Sequence, residues 1–334
     1  MHKTFRFAII GSGNISRTYF QAVSKISEAS VVALVSRSRT QPDFVPENIE
    51  IASTLGEIRA IFDGVILATP NGLHHEGAVD AAHLGKHVFT EKPLDITMTN
   101  MERMITACRE NNVKLGVAYQ HRMSPDNMTL KKLIDEGAFG RIYSADFAVR
   151  CWRDQDYYDS GEWRGTWEID GGGPFMQQAC HELDLYTWFF GLPNKVSSFT
   201  DTYGHDIKVE DHGVSIFRYD SGMTGSFIAS TVAYPGFPPT LTLHTEKGSV
   251  ILTNGRITGW YIQGMDNPSR EPQGPIHSGA ASAAVTDTIG HEVLLKDFIS
   301  AIHNNSEPLI PGESAKLATE LALRIYGKLE PSVG

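Results

Sequence analysis

The segment Phe5-Arg6-Phe7-Ala8-Ile9-Ile10-Gly11-Ser12-Gly13-Asn14-Ile15-Ser16 limits the choice of fold more than any other part of the chain. A strand-forming apolar run stops at a glycine turn and passes at once into a helical pattern that extends to about Ile26. The first glycine permits the tight turn, and the second lets the backbone approach a ligand. Ser16, in the place of a third glycine, is small enough for close helix packing. Backbone N–H groups at the start of such a helix favour a negatively charged group. Gly11, Ser12, Gly13, Asn14 and Ile15 are therefore expected to hold the pyrophosphate of a dinucleotide.

The alternation continues through the first third of the chain. Residues 31–35, 64–69, 87–90 and 113–118 are short apolar runs, as expected for strands buried on both faces, and helical stretches such as 98–111 separate them. That order predicts an α/β fold with a doubly wound parallel sheet of the Rossmann type over 1–123. Beyond about Met123 the texture changes. A helix is expected over 126–136, then a half-exposed strand over 141–147. Most of 195–263 reads as strands broken by turns such as Asp220-Ser221-Gly222 and Asn254-Gly255. Residues 124–334 are thus expected to form a second, α+β domain with a largely antiparallel sheet. Residues 264–279 read as a loop. Two amphipathic helices, near 291–303 and 313–329, close the chain, and the last is expected to pack back on the first domain.

A formal net charge of −10 across 334 residues argues against a nucleic-acid partner. Three scattered cysteines, Cys108, Cys151 and Cys180, suit free thiols in a reducing compartment. No apolar run reaches membrane-spanning length and no signal-peptide pattern precedes the first strand, so the expected location is the cytoplasm, without a membrane partner.

Two clusters carry chemistry. Glu91-Lys92-Pro93 ends the fourth of these runs, which would put a lysine over the crevice where the glycine turn holds its ligand. Gly171-Gly172-Gly173 precedes Pro174, and the spacing predicts a helix over 174–190 that stops at Gly191. On that helix Gln177, His181 and Asp184 stand at i, i+4 and i+7 and share a face, with Gln178 and Glu182 as a second polar stripe. At the end of the second strand, Ser36-Arg37-Ser38-Arg39 stands where an NAD-specific site usually has a carboxylate. An arginine can pair with a 2′-phosphate, so NADP is favoured over NAD, with Ser36, Arg37 and Arg39 as the contacts.

Taken in order, the glycine turn, Thr69-Pro70-Asn71 with His74, Glu91-Lys92-Pro93, Tyr119-Gln120-His121-Arg122, Trp163-Arg164 and the glycine-led segment bearing His181 resemble the Gfo/Idh/MocA oxidoreductases, relatives of glucose–fructose oxidoreductase and inositol dehydrogenase. The resemblance spans nearly the whole chain. It implies that Lys92 is the active-site lysine and His181 the catalytic histidine. Thr69, Pro70, Asn71 and His74 would line the nicotinamide half of the cofactor, and Glu91 would lie beside the nicotinamide ribose. Trp163 and Arg164 would also belong to the cofactor site. In several members the bond before the motif proline is cis. Inositol dehydrogenase-like members carry an aspartate where this chain has Gln177, and other sugar-acting members carry an amide.

The implied activity is NAD(P)-dependent oxidation of a secondary hydroxyl on a sugar, polyol or sugar derivative. His181 would serve as proton acceptor, and Lys92 would orient the hydroxyl and stabilise alkoxide charge. Gln120, Arg122, Gln177 and Asp184 are candidates for the remaining hydroxyls, joined by Tyr234, His212 and His277 from the second domain. Trp152, Trp163 and Trp167 suit either stacking on a sugar or domain packing. The resemblance also implies substrate binding and self-association for the second domain, with a homodimer or homotetramer expected through its sheet. Two other uses fit the scaffold: an NAD-dependent glycosidase and a non-catalytic dinucleotide-sensing regulator.

Overall fold

The structure, a computed structural model, describes residues 4–39, 41–269 and 288–329. It divides into two units, Met1–Gln120 with Val285–Lys316 and His121–Ala284 with Leu317–Gly334. In the first unit β1 (Phe5–Ile10), β2 (Ala29–Val35), β3 (Glu50–Ala52), β4 (Gly64–Leu67), β5 (His87–Thr90) and β6 (Leu115–Val117) form one sheet in the order β3-β2-β1-β4-β5-β6. Every pairing in it is parallel. Helices α1 (Asn14–Ser24), α2 (His74–His83) and α3 (Met98–Glu110) connect the strands. All four residues of β4, Gly64-Val65-Ile66-Leu67, are buried, as a strand covered on both faces requires. Strand order reverses between β1 and β4, and their carboxyl ends flank the crevice where such sheets bind ligands. The strand β3 was not anticipated, because three residues are too few to show a period.

The second unit holds α4 (Pro125–Asp135), β7 (Ile142–Trp152), the short α5 (Gln155–Asp159), α6 (Cys180–Phe190), β8 (Lys195–Asp201), β9 (His212–Arg218), β10 (Thr224–Ser230), β11 (Val232–Thr245), β12 (Gly248–Thr253) and β13 (Arg256–Ile262). Its seven strands run β13-β12-β11-β7-β10-β9-β8. All pairs are antiparallel except β7 with β10. Along β7, Ala145, Phe147, Val149 and Cys151 alternate onto the buried face. Helix α6 lies on that face. The Tyr186 ring meets those of Phe217 and Phe227, with centroids 5.2 and 6.0 Å away. Its hydroxyl donates to the Ala145 carbonyl at 3.3 Å. This approach requires Gly225, since a Cβ there would stand 1.9 Å from the Tyr186 hydroxyl oxygen.

The expected helix over 174–190 begins only at Cys180, so Gln177 does not share a helical face with His181 and Asp184. Residues before it form successive turns, with the Gln177 N–H on the Gly173 carbonyl and the Ala179 N–H on the Pro174 carbonyl. Glu210 takes the N–H groups of Gly173 and Phe175 instead.

Two further helices, α7 (Ile289–His303) and α8 (Gly312–Ile325), follow, and α7 packs on α1 within the first unit. Lys25, at the C-cap of α1, donates to Thr288 at 2.6 Å and to Glu292 at 3.0 Å. The predicted loop over 264–279 is described only to residue 269, and His277 lies outside the described residues. Among the described residues no helix is long and apolar enough to cross a membrane.

Candidate active site

The glycine turn adopts a backbone that only glycine permits. Gly11 has φ +110°, and a Cβ on it would lie 2.4 Å from the Ala68 carbonyl oxygen, so β1 and β4 close together only around glycine. The Gly11 N–H donates to the Val35 carbonyl at 2.9 Å, which ties the turn to the end of β2. Ser16 is fully buried and its hydroxyl returns a 2.7 Å hydrogen bond to the Gly11 carbonyl. Gly13 caps α1 without a side chain, and a Cβ built on it meets no atom within 4 Å. Thr69 follows Ala68, and its buried Oγ1 has no hydrogen-bond partner among the described residues. An uncapped helix start facing open space and an orphaned hydroxyl beside it suit a dinucleotide that brings oxygens and hydroxyls of its own.

At the end of β2 the Ser36 hydroxyl sits 3.2 Å from those of Ser12 and Ser38. Arg39, at φ +54°, is committed to Glu57 at 2.8 Å and Ser53 at 3.1 Å. Arg37 is different: its side chain is 81% exposed, and Glu76 is 3.6 Å away.

Lys92 follows β5, on the same sheet edge as the turn and Thr69, and the Lys92-Pro93 bond is cis. The His74 ring is fully buried, with its nitrogens 2.9 Å from the Pro93 carbonyl oxygen and 3.0 Å from that of Thr69, so it ties the two loops together. Asp95 secures the segment beyond, accepting the Ile96 N–H at 2.7 Å with its Oδ2 3.0 Å from His75 Nδ1. Glu91 is turned inward. Its carboxylate accepts the Tyr19 hydroxyl at 2.6 Å and the Lys92 N–H at 3.1 Å, and His291 Nε2 of α7 is 3.3 Å away. Burial pushes the Glu91 carboxyl up, but the His291 hydrogen bond and charge, then Lys92 and Tyr19, outweigh it and hold it at about 2. Burial and the adjacent carboxylate push the Tyr19 phenol far up, so it acts as donor. His291 is read from the sequence only as the start of a closing helix, and Tyr19 carries no signal there, being one apolar-face residue of an amphipathic helix.

In the second unit His181 occupies the first turn of α6, its ring stacked on that of His121. Arg122 and Asp184, 3% and 0% exposed, bond to each other, with Arg122 Nε 2.7 Å from Asp184 Oδ2. Burial pushes Asp184 up to about 6 against the pull of Arg122, so it is ionised at neutral pH. Gln177 donates to Asp170, whose other oxygen accepts the Gly165 N–H at 2.9 Å. The Arg164 guanidinium stands 4.5 Å from the Trp163 ring and 4.4 Å from that of Tyr157. Tyr234, on β11, is 74% exposed with its edge against Trp152. Glu210 accepts the Tyr326 hydroxyl at 2.7 Å as well as the glycine-segment N–H groups, and burial pushes it up to about 7 against these donors. Gln120, counted with the first unit, has a buried Oε1 with no hydrogen-bond partner among the described residues.

Residues 5–119 match the oxidoreductase family with an NAD-binding Rossmann fold, and residues 127–251 match the GFO/IDH/MocA C-terminal domain. Inositol 2-dehydrogenase of Rhizobium meliloti is 26% identical over 334 residues, covering 96% of this chain and 95% of that protein. Oxidoreductase P35 of Formosa agariphila is 28% identical over 199 residues, 57% of this chain and 62% of its own length. Among solved structures, the WlbA dehydrogenase from Bordetella pertussis, in complex with NADH and UDP-GlcNAcA, superimposes with a TM-score of 0.85 at 30% identity, covering 98% of this chain and 96% of that one. With both halves matched, the chain belongs to the Gfo/Idh/MocA family of NAD(P)-dependent oxidoreductases.

Proposed function

We propose that this protein is an NAD(P)-dependent dehydrogenase that oxidises a secondary hydroxyl of a sugar, polyol or sugar derivative. The observation that carries the proposal is Lys92, which follows β5 on the same sheet edge as the uncapped glycine turn and the orphaned Thr69 hydroxyl. A dinucleotide held by Gly11, Ser12, Gly13, Asn14 and Ile15 would supply the hydride acceptor for the carbinol carbon, or the hydride donor in the reverse direction. Lys92 orients the hydroxyl and stabilises the negative charge that develops on its oxygen. His181 takes the hydroxyl proton as the carbonyl forms, and gives it back during reduction. The assignment of both to one reaction rests on the family resemblance. Gln120, Gln177 and Tyr234 are the proposed contacts to the remaining hydroxyls. Arg122 and Asp184, spent on each other, are assigned to holding α6. His74 and Glu91, both buried, are assigned to positioning the loops beneath the nicotinamide end. NADP is the preferred cofactor in this reading, with Arg37 on its 2′-phosphate.

The relative holding UDP-GlcNAcA favours a second substrate class, a nucleotide-linked sugar acid. Purified protein with NADP or NAD should therefore be offered free sugars, polyols, anhydro sugars and UDP-linked sugar acids while the reduced-nicotinamide absorbance is followed. Sustained reduction with one class identifies the substrate, and aryl glycoside cleavage without reduction would point to the glycosidase. Lys92→Ala and His181→Ala should each lower kcat by roughly a thousandfold while cofactor Kd stays within about threefold. A near-native rate in either variant refutes that residue's role.

A further inference from the structure

Glu182 of α6 has no use in the scheme above, yet it is only 4% exposed. Its Oε1 lies 3.1 Å from His121 Nδ1. The His121 ring in turn lies flat against His181, with centroids 4.2 Å apart and planes 22° from parallel. The turn carrying His121 is itself held: Asn127 Nδ2 and the Ser124 N–H donate to the His121 carbonyl at 2.9 and 3.2 Å. The next residue, Arg122, is bonded to Asp184 on the same helix as His181.

We propose that His121, oriented by Glu182, is a positioning residue for His181. The inference rests on reading His181 as the proton acceptor. Rotation of an imidazole about χ2 is soft, and a rotated ring aims a carbon or the wrong nitrogen at the hydroxyl. A flat neighbour pressed on one face restricts that rotation. The neighbour is itself fixed by a hydrogen bond to a buried carboxylate, a charged acceptor that binds more strongly than a neutral one. Neither partner is expendable, since removing His121 leaves a carboxylate buried without its donor.

The test is a kinetic series on the full-length protein with its dinucleotide and the best substrate of the panel. His121→Ala should lower kcat by roughly 10- to 100-fold, with KM for substrate and cofactor within about threefold, because misaligned proton transfer slows the chemical step alone. Glu182→Gln keeps an acceptor of the same shape and should hold kcat within about threefold, while Glu182→Leu should lower it about tenfold. The double variant His121→Phe/Glu182→Gln restores a flat ring without a lone charge, and should recover most of the kcat lost in His121→Ala. Circular dichroism and dinucleotide affinity verify that each variant is folded. With His181→Ala inactive, a native kcat in His121→Ala, or a loss confined to KM, overturns the inference alone. An active His181→Ala removes the reading beneath it and the inference together.

Discussion

Glu91 bears a negative charge inside the protein because three donors surround it, and two of them come from far away in the chain. Tyr19 is 72 residues distant and His291 is 200. A carboxyl held at about 2, against an ordinary 4.5, contributes about 3 kcal/mol of stability at neutral pH. The sign follows from the depression of the folded-state value. The contribution is complete above the unfolded-state value and is lost as pH falls from 4.5 toward 2. Glu91→Gln should therefore be less stable than the native chain at pH 7, with the gap narrowing to about half by pH 3, as measured by chemical denaturation at both. A gap that does not change with pH would show that the charge at Glu91 is not what stabilises. The sequence motif located this glutamate at the end of β5. Its inward orientation was not legible, because the residues that turn it inward are neighbours only after folding.

The proposed preference for NADP rests on the end of β2, where the two arginines are engaged to different degrees. The arginine at 39 is engaged by Glu57 and Ser53 through short hydrogen bonds, whereas the one at 37 is 81% exposed in a looser, 3.6 Å ion pair with Glu76. Arg37 is thus the one available to pair with a 2′-phosphate, supported by the hydroxyls of Ser12, Ser36 and Ser38. Arg37→Asp should raise KM for NADP by roughly 10-fold or more and leave that for NAD within about threefold. Steady-state kinetics with both cofactors decides it, and equal effects on the two would refute a phosphate contact. Elements such as β1 and β5 were legible to the residue, since a short apolar run ended by a turn signal has one reading in a βα alternation. The start of α6 was not. Pro174 after three glycines is a fair helix beginning locally, yet residues 173–179 stay in turns, with the N–H groups of Gly173 and Phe175 on the Glu210 carboxylate. Glu210 is more than thirty residues away, and no window around Pro174 contains it.

The seven-stranded sheet has one face under α6 and an outer face opposite it. On that outer face Phe199 of β8 pairs with Val214 of β9, Val214 with Ile228 of β10, and Ile228 with Ala148 of β7, an apolar row crossing four strands. Phe199 is 81% exposed, and Ile216 in the next row is 57% exposed. Lone surface apolar residues need no explanation, but a continuous row on a flat sheet marks an interaction surface, and covering a phenylalanine or isoleucine contributes about 2 kcal/mol each. A two-fold contact buries every such residue twice, which makes a second copy of this chain the economical cover. Light scattering after size exclusion should give a native mass of at least twice 36.8 kDa. Phe199→Lys with Ile216→Lys should reduce it to one protomer, because four lysines would then face one another across the two-fold. A native protein that runs as a single protomer at tens of micromolar would leave the row without a partner of its own kind. A dimer untouched by the two lysines would locate the interface on another surface.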